Sequence, residues 1–85
     1  MNKKFRIPEK VASISKQSLV EIVGKRRVLI ENHSGITEMR NDRITASNGD
    51  GYIVITGTNL QLVLISVEQI VVAGQIESVL LNAGM

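Results

Sequence analysis

Residues 48–65 read NGDGYIVITGTNLQLVLI, and this stretch decides the class of fold. Gly and Asn tolerate the positive φ of tight turns, and they cluster at 48–51 and again at 57–59. The segments that follow are rich in Val, Ile and Leu, and the β-branched members favour strands because a stiff side chain packs well on a pleated surface. The stretch therefore predicts two short strands, Tyr52–Thr56 and Leu60–Ile65, each preceded by a turn.

The same alternation of apolar runs and turn residues continues along the rest of the chain. It predicts six more short strands, at Leu19–Val23, Val28–Glu31, Ile36–Met39, Arg43–Ser47, Ile70–Ala73 and Ile76–Leu81. Alternate turn signals fall at positions 24, 41, 57 and 74, at intervals of 17, 16 and 17 residues. This rhythm predicts a small all-β domain, mainly an antiparallel meander curled into a roll or barrel, with a short β-solenoid as the alternative. The only helical turn expected is near Pro8–Ser13.

Length and charge define the domain organisation. A chain of 85 residues has room for one core, so we expect a basic N-terminal arm at 1–18 followed by a single β domain at 19–85. Residues 1–27 hold eight Lys or Arg and two Glu, whereas residues 28–85 hold two Arg and six acids. The basic third can meet nucleic acid, anionic lipid or an acidic protein face, or it can simply be solvated charge.

Both faces of one predicted strand are apolar. In Leu60–Ile65 the even positions are all Leu, yet Val63 and Ile65 make the opposite face apolar too. One face can pack in the domain's own core, and the other needs a second cover. Two ways of covering this second face remain possible. One is contact with another subunit or a partner protein, and the other is a closed roll that hides both faces.

The stretch IENHSG at 30–35 holds the only histidine, and the chain has no cysteine. A metal site needs several converging ligands, and a catalytic His needs a nucleophile that it can activate. Ser34 is adjacent to His33, so the two side chains do not face each other on a strand. We therefore expect an exposed turn at Asn32–Gly35, no enzyme activity and no cofactor. If His33 has a role, we expect it at an interface with a partner.

The densest basic run is Lys25-Arg26-Arg27. Nucleic-acid binding is disfavoured because Phe5 and Tyr52 are the only aromatic residues that could stack on bases. Contact with an anionic membrane or an acidic protein stays open. Lys25, Arg26, Arg27 and His33 are the candidate partner-binding residues.

As a whole, the chain resembles the YabP/YqfC family of sporulation proteins, and within it the YqfC-like branch. The resemblance is carried by RIPEKV at 6–11, VLIENHSGI at 28–36, GYIVITGTNLQLVLI at 51–65 and EQIVVAGQIESVLL at 68–81. It covers most of the chain and is collective, because each piece alone is only a strand with a turn.

The resemblance implies a small non-enzymatic β domain that acts during endospore formation as an interaction or assembly module. It implies a sporulation membrane protein as partner, and we also expect a homo-oligomer. The implied location is the mother-cell cytoplasm, at the forespore membrane or free of it. MNKKFRIPEK is followed by no apolar stretch of signal-peptide length, and no 18 apolar residues run together, so we expect a soluble chain without a targeting segment. Two other functions remain as alternatives, a self-assembling β-solenoid scaffold and a nucleic-acid-binding small β-barrel.

Overall fold

The computed structural model of the chain describes residues 18–49 and 51–82, and these form six strands. The strands are β1 (Leu19–Val23), β2 (Arg27–Glu31), β3 (Gly35–Arg40), β4 (Arg43–Ser47), β5 (Tyr52–Ile65) and β6 (Gln69–Asn82). The all-β prediction is confirmed, and no helix occurs in the described ranges. The arm predicted at 1–18 lies outside the described residues except for Ser18, as does the helical turn predicted near Pro8–Ser13.

The six strands form one open sheet in the order β1-β2-β6-β5-β4-β3. Every neighbouring pair is antiparallel, and hairpin turns join β1 to β2 and each of β3, β4 and β5 to the next strand. The mainly antiparallel meander is thus confirmed, and β2 joins it by pairing with β6. The β-solenoid alternative is wrong for the described chain, because stacked coils pair in parallel and all five ladders here are antiparallel.

Two long strands replace four of the predicted short ones. Predicted strands at 52–56 and 60–65 are the two halves of β5, and those at 70–73 and 76–81 lie within β6. The glycines between them, Gly57 and Gly74, mark irregular positions inside continuous strands instead of turns. The ladder between β5 and β6 shifts register beside Gly57, as expected where a glycine accommodates a β-bulge.

Close backbone contact explains why both irregular positions are glycine. A Cβ atom built on Gly57 would lie 2.0 Å from the carbonyl oxygen of Gln75, on the paired strand. A Cβ on Gly74, whose φ is +144°, would lie 2.6 Å from the carbonyl oxygen of Asn59. Each long strand thus bends where the backbone of the other comes too close for any side chain.

Each bend is braced by the turn of a short hairpin. The amides of Gly74 and Ile76 donate to the carbonyls of Arg26 and Lys25, at 3.1 and 2.8 Å. In the same way, the amides of Gly57 and Leu60 donate to the carbonyls of Asp42 and Asn41, at 3.2 and 2.8 Å. The β1–β2 turn therefore supports the bend of β6, and the β3–β4 turn supports the bend of β5. This repetition accounts for the spacing of the signals at 24, 41, 57 and 74.

The short connection between β2 and β3 proves that the sheet folds back on itself. A straight strand of the length of β5, 14 residues, would span about 46 Å. Yet the amide of Asn32 donates to the carbonyl of Glu68, which lies just beyond the end of β5. The amide of Ser34 donates to the carbonyl of Ser47, and Ser47 is the ladder partner of Tyr52, the first residue of β5. Because Asn32 and Ser34 are two residues apart, the two ends of β5 lie near each other.

The fold is therefore a roll of two layers. The first layer consists of β1, β2, the 69–73 half of β6 and the 61–65 half of β5. The second layer consists of β3, β4, the 52–56 half of β5 and the 76–82 half of β6. One buried cluster takes side chains from both layers, as their facing inner surfaces require: Val28, Ile30, Ile44, Ala46, Ile53, Ile55, Leu60, Ile70, Val72 and Ile76. Each such burial contributes roughly 1.5–3 kcal/mol for a Val, Ile or Leu.

Candidate interaction surface

His33 links the two layers through both nitrogens of its ring. Nε2 lies 2.8 Å from the carbonyl oxygen of Ser66, and Nδ1 accepts the amide of Gly35 at 2.9 Å. Because a carbonyl only accepts, Nε2 carries the proton and Nδ1 carries the lone pair. The turn predicted at Asn32–Gly35 is present, with a φ of 64° at Asn32 and 129° at Gly35.

This arrangement gives His33 a structural use in the roll. The ring ties the start of β3 to the β5–β6 turn, 33 residues away in sequence from His33. Within the described residues, no group of three or more His, Cys, Asp or Glu side chains could hold a metal ion. Whether His33 also touches a partner stays a prediction.

The predicted basic run lies on the β1–β2 hairpin. Gly24, Lys25 and Arg26 form the turn, and Arg27 is the first residue of β2. The side chains of Lys25, Arg26 and Arg27 are exposed, and none forms an ion pair with another described residue. The backbone beneath them is fixed, because the carbonyls of Lys25 and Arg26 accept bonds from β6. Three cations thus project from a rigid support.

The equivalent β3–β4 turn has a different electrostatic character. Arg40 pairs with Asp42 at 3.2 Å and with Glu38 at 3.8 Å, and Arg43 pairs with Glu38 at 3.3 Å. Its cations and carboxylates therefore neutralise one another. Of the two braced turns, only the β1–β2 turn carries cations that have no ion-pair partner within the described ranges.

The outer face of the second layer carries a set of polar groups that bond to one another, beside the exposed side chains of Tyr52 and Leu80. Thr45 is 7% exposed and donates its hydroxyl to Glu38 at 3.1 Å, and the hydroxyls of Thr56 and Ser78 bond to each other. An open groove of about 520 Å³ lies on this face, between Glu38, Tyr52 and their neighbours. Because Glu38 already accepts from Thr45 and two arginines, the groove does not hold a free carboxylate for a ligand.

The outer face of the first layer is largely apolar. Alternation along β1, β2 and β6 sends every second residue away from the core, and the bulge in β5 places Leu64 opposite Val71 on the same side. We call this surface the apolar face; its apolar residues are Leu19, Val23, Leu29, Val63, Leu64, Val71 and Ala73, and it also carries Glu21, Arg27, Glu31, Gln61 and Gln69. Val63 is 56% exposed and Leu64 42%. The sequence predicted that the second side of Leu60–Ile65 needs a cover, and this side is open in the described chain.

The model of the YabP family matches residues 14–84 of the chain. A match over this length shows that the chain belongs to the YabP family, and so it is a sporulation-associated protein. The match establishes the family that the sequence resembles, whereas the YqfC-like branch stays a prediction. This family is not known for enzymatic activity.

No curated protein and no solved structure matches the chain. The described residues contain no helix that is long and apolar enough to cross a membrane.

Proposed function

We propose that this YabP-family protein is a non-enzymatic interaction module of endospore formation. It docks, through the β1–β2 turn, on the acidic surface of a sporulation membrane protein in the mother cell. The observation that carries the proposal is the group of three exposed cations, Lys25, Arg26 and Arg27, without ion-pair partners among the described residues.

The rigidity of the turn supports this role. Its carbonyls bond to the amides of Gly74 and Ile76, so the cations do not lose backbone freedom when a partner binds. Clustered charge of one sign raises the rate of encounter with a surface of opposite sign and fixes the orientation of docking.

The contrast between the two turns also supports the proposal. Arg40 and Arg43 lie on an equivalent hairpin and are paired with Glu38 and Asp42, so the fold itself does not require unpaired cations at such a turn. The charge left free on the β1–β2 turn is therefore available for recognition. A membrane-protein partner follows from the family resemblance, since members look like companions of membrane proteins.

The test reverses the charge of one turn and compares it with the other. Arg26→Glu and Arg40→Glu change the net charge equally, but only the first removes an unpaired cation. At low salt, we expect Arg26→Glu to weaken capture of the membrane partner from sporulating cells about tenfold, with a larger loss for the Lys25→Glu, Arg26→Glu, Arg27→Glu triple variant. Arg40→Glu should change capture much less.

Vesicles separate a protein partner from the lipid surface. If the partner is a protein, vesicles of phosphatidylglycerol and phosphatidylcholine should bind wild type and Arg26→Glu equally weakly. Charge-dependent binding to these vesicles alone would point to the membrane surface instead. Unchanged capture by the triple variant at low salt would remove the basic turn from the mechanism.

A further inference from the structure

We infer that the apolar face binds a second copy of this chain, face to face and with the strands antiparallel across the contact. The two copies are related by a two-fold axis that runs across the strands through Leu29. This contact shares Arg27 with the β1–β2 turn, but it uses the outer face of the sheet and does not depend on the proposed function.

The exposed apolar side chains of this face argue for a cover. Four strands about 4.8 Å apart and five residues long give a face of about 300 Å², which the apolar side chains share with Glu21, Arg27, Glu31, Gln61 and Gln69. The exposed fraction is 53% for Leu19 and 54% for Val23, so apolar side chains reach the border of the patch as well as its middle. Exposed apolar side chains that are rimmed by polar residues in this way often mark protein–protein contacts.

The charges on this face identify the occupant. Arg27 and Glu31 lie on β2, two residues to either side of Leu29, and all three point away from the core. Neither Arg27 nor Glu31 forms an ion pair with a described residue, and the carboxylate of Glu31 accepts a bond from the side-chain amide of Gln69 at 3.3 Å. The face is thus positive at one end and negative at the other.

Such a surface is complementary to itself. A two-fold axis through Leu29 places Arg27 of each copy over Glu31 of the other, so one contact creates two identical ion pairs. Packed sheets lie about 10 Å apart, a gap that the long side chains of Arg and Glu can cross together. Leu29 then meets its own counterpart near the axis, with Val71 and Leu64 of the two copies beside it.

One charged group limits the strength of the contact. Glu21 shares the middle row with Leu29, so the axis brings it towards its own counterpart. Because β1 is the edge strand and Glu21 is exposed, this repulsion lies at the border and is screened by salt. The face also offers less than half of the roughly 800 Å² per partner found in stable complexes. We therefore expect a weak dimer whose population depends on protein concentration.

Sedimentation equilibrium of the full chain over a wide concentration range tests this inference. We expect wild type to dimerise as its concentration rises, and Leu64→Lys to weaken association at least tenfold. Leu80→Lys is the matched control, because Leu80 is 54% exposed and faces outward from the second layer. It should leave association unchanged. Circular dichroism checks that every variant is folded.

A charge swap tests the two-fold arrangement itself. Arg27→Glu and Glu31→Arg should each weaken association about tenfold, and the double variant should return to within about threefold of wild type. The double variant does not restore the positive β1–β2 turn, so capture of the membrane partner stays weak while dimerisation recovers. Wild type that stays monomeric at every concentration would overturn the inference, whatever covers the face. So would a double variant whose association does not return towards that of wild type.

Discussion

Gly57→Ala should unfold or severely destabilise the domain, although it adds one methyl group. Gly57 does not have positive φ, so its replacement costs little in backbone conformation, and the effect comes from the contact alone. The new Cβ would lie 2.0 Å from the backbone carbonyl oxygen of Gln75, whereas an ordinary contact needs at least 3.4 Å. The strands β5 and β6 must therefore separate by about 1.4 Å.

The size of this effect follows from the ladder on both sides of the contact. Opening a hydrogen bond of about 2.9 Å by a further 1.4 Å breaks it. Each buried backbone group left without a partner costs about 1–3 kcal/mol, and separating the two strands leaves at least two such groups without partners. We therefore expect a loss of about 4 kcal/mol, whereas a domain of 85 residues has a total stability of about 4–13 kcal/mol.

Urea denaturation followed by circular dichroism measures this loss directly. By thermal denaturation, the same change should lower Tm by about 15–30 °C in a domain of this size, or leave no folded state. Gly24→Ala is the control, because Gly24 has a φ of +58° with open space around it, and it should cost only about 1–2 kcal/mol. The reasoning is refuted if Gly57→Ala loses less than about 1 kcal/mol, or less than Gly24→Ala.

Two further substitutions test the hydrogen bonds of His33 and the core. His33→Ala should lower the free energy of unfolding by about 1–2 kcal/mol, because the amide of Gly35 and the carbonyl of Ser66 lose their shared partner. Hydrogen exchange at the Gly35 amide should become faster, and unchanged protection of this amide would argue against its bond to His33. Ile55→Ala, at a side chain that is fully buried, should cost about 2–5 kcal/mol in urea denaturation. The control Ile65→Ala, at a position 54% exposed, should cost far less, and equal losses would contradict the placement of the core.

Local sequence signals predicted some elements well. Leu19–Val23 and Arg43–Ser47 have the predicted bounds, because each is a short β-rich run between turn residues. The turn at Asn32–Gly35 was also predicted, since Asn and Gly accept positive φ whatever surrounds them.

The bends could not be told from turns by the same signals. Gly24 and Gly57 each follow a β-rich run and precede a polar residue, Lys25 or Thr58, yet Gly24 lies in a turn and Gly57 lies inside a long strand. What separates them is the nearness of Gln75, a contact between two strands that a local pattern does not contain. The acceptor of His33, the carbonyl of Ser66, was invisible for the same reason.

The two bends also explain why the two sides of this small domain differ. Each short hairpin braces one long strand, so the two halves of the roll repeat one architecture, and the core constrains only their inner faces. The outer faces were free to diverge. The second layer uses that freedom for bonded polar groups such as Thr45 with Glu38, and its turn is neutral. The first layer has an apolar face, which costs solubility without adding to the core, beside a basic turn whose cations have no ion-pair partner among the described residues. Folding does not require an exposed apolar face and a basic turn on one half of a repeated architecture, whereas recognition of a partner does.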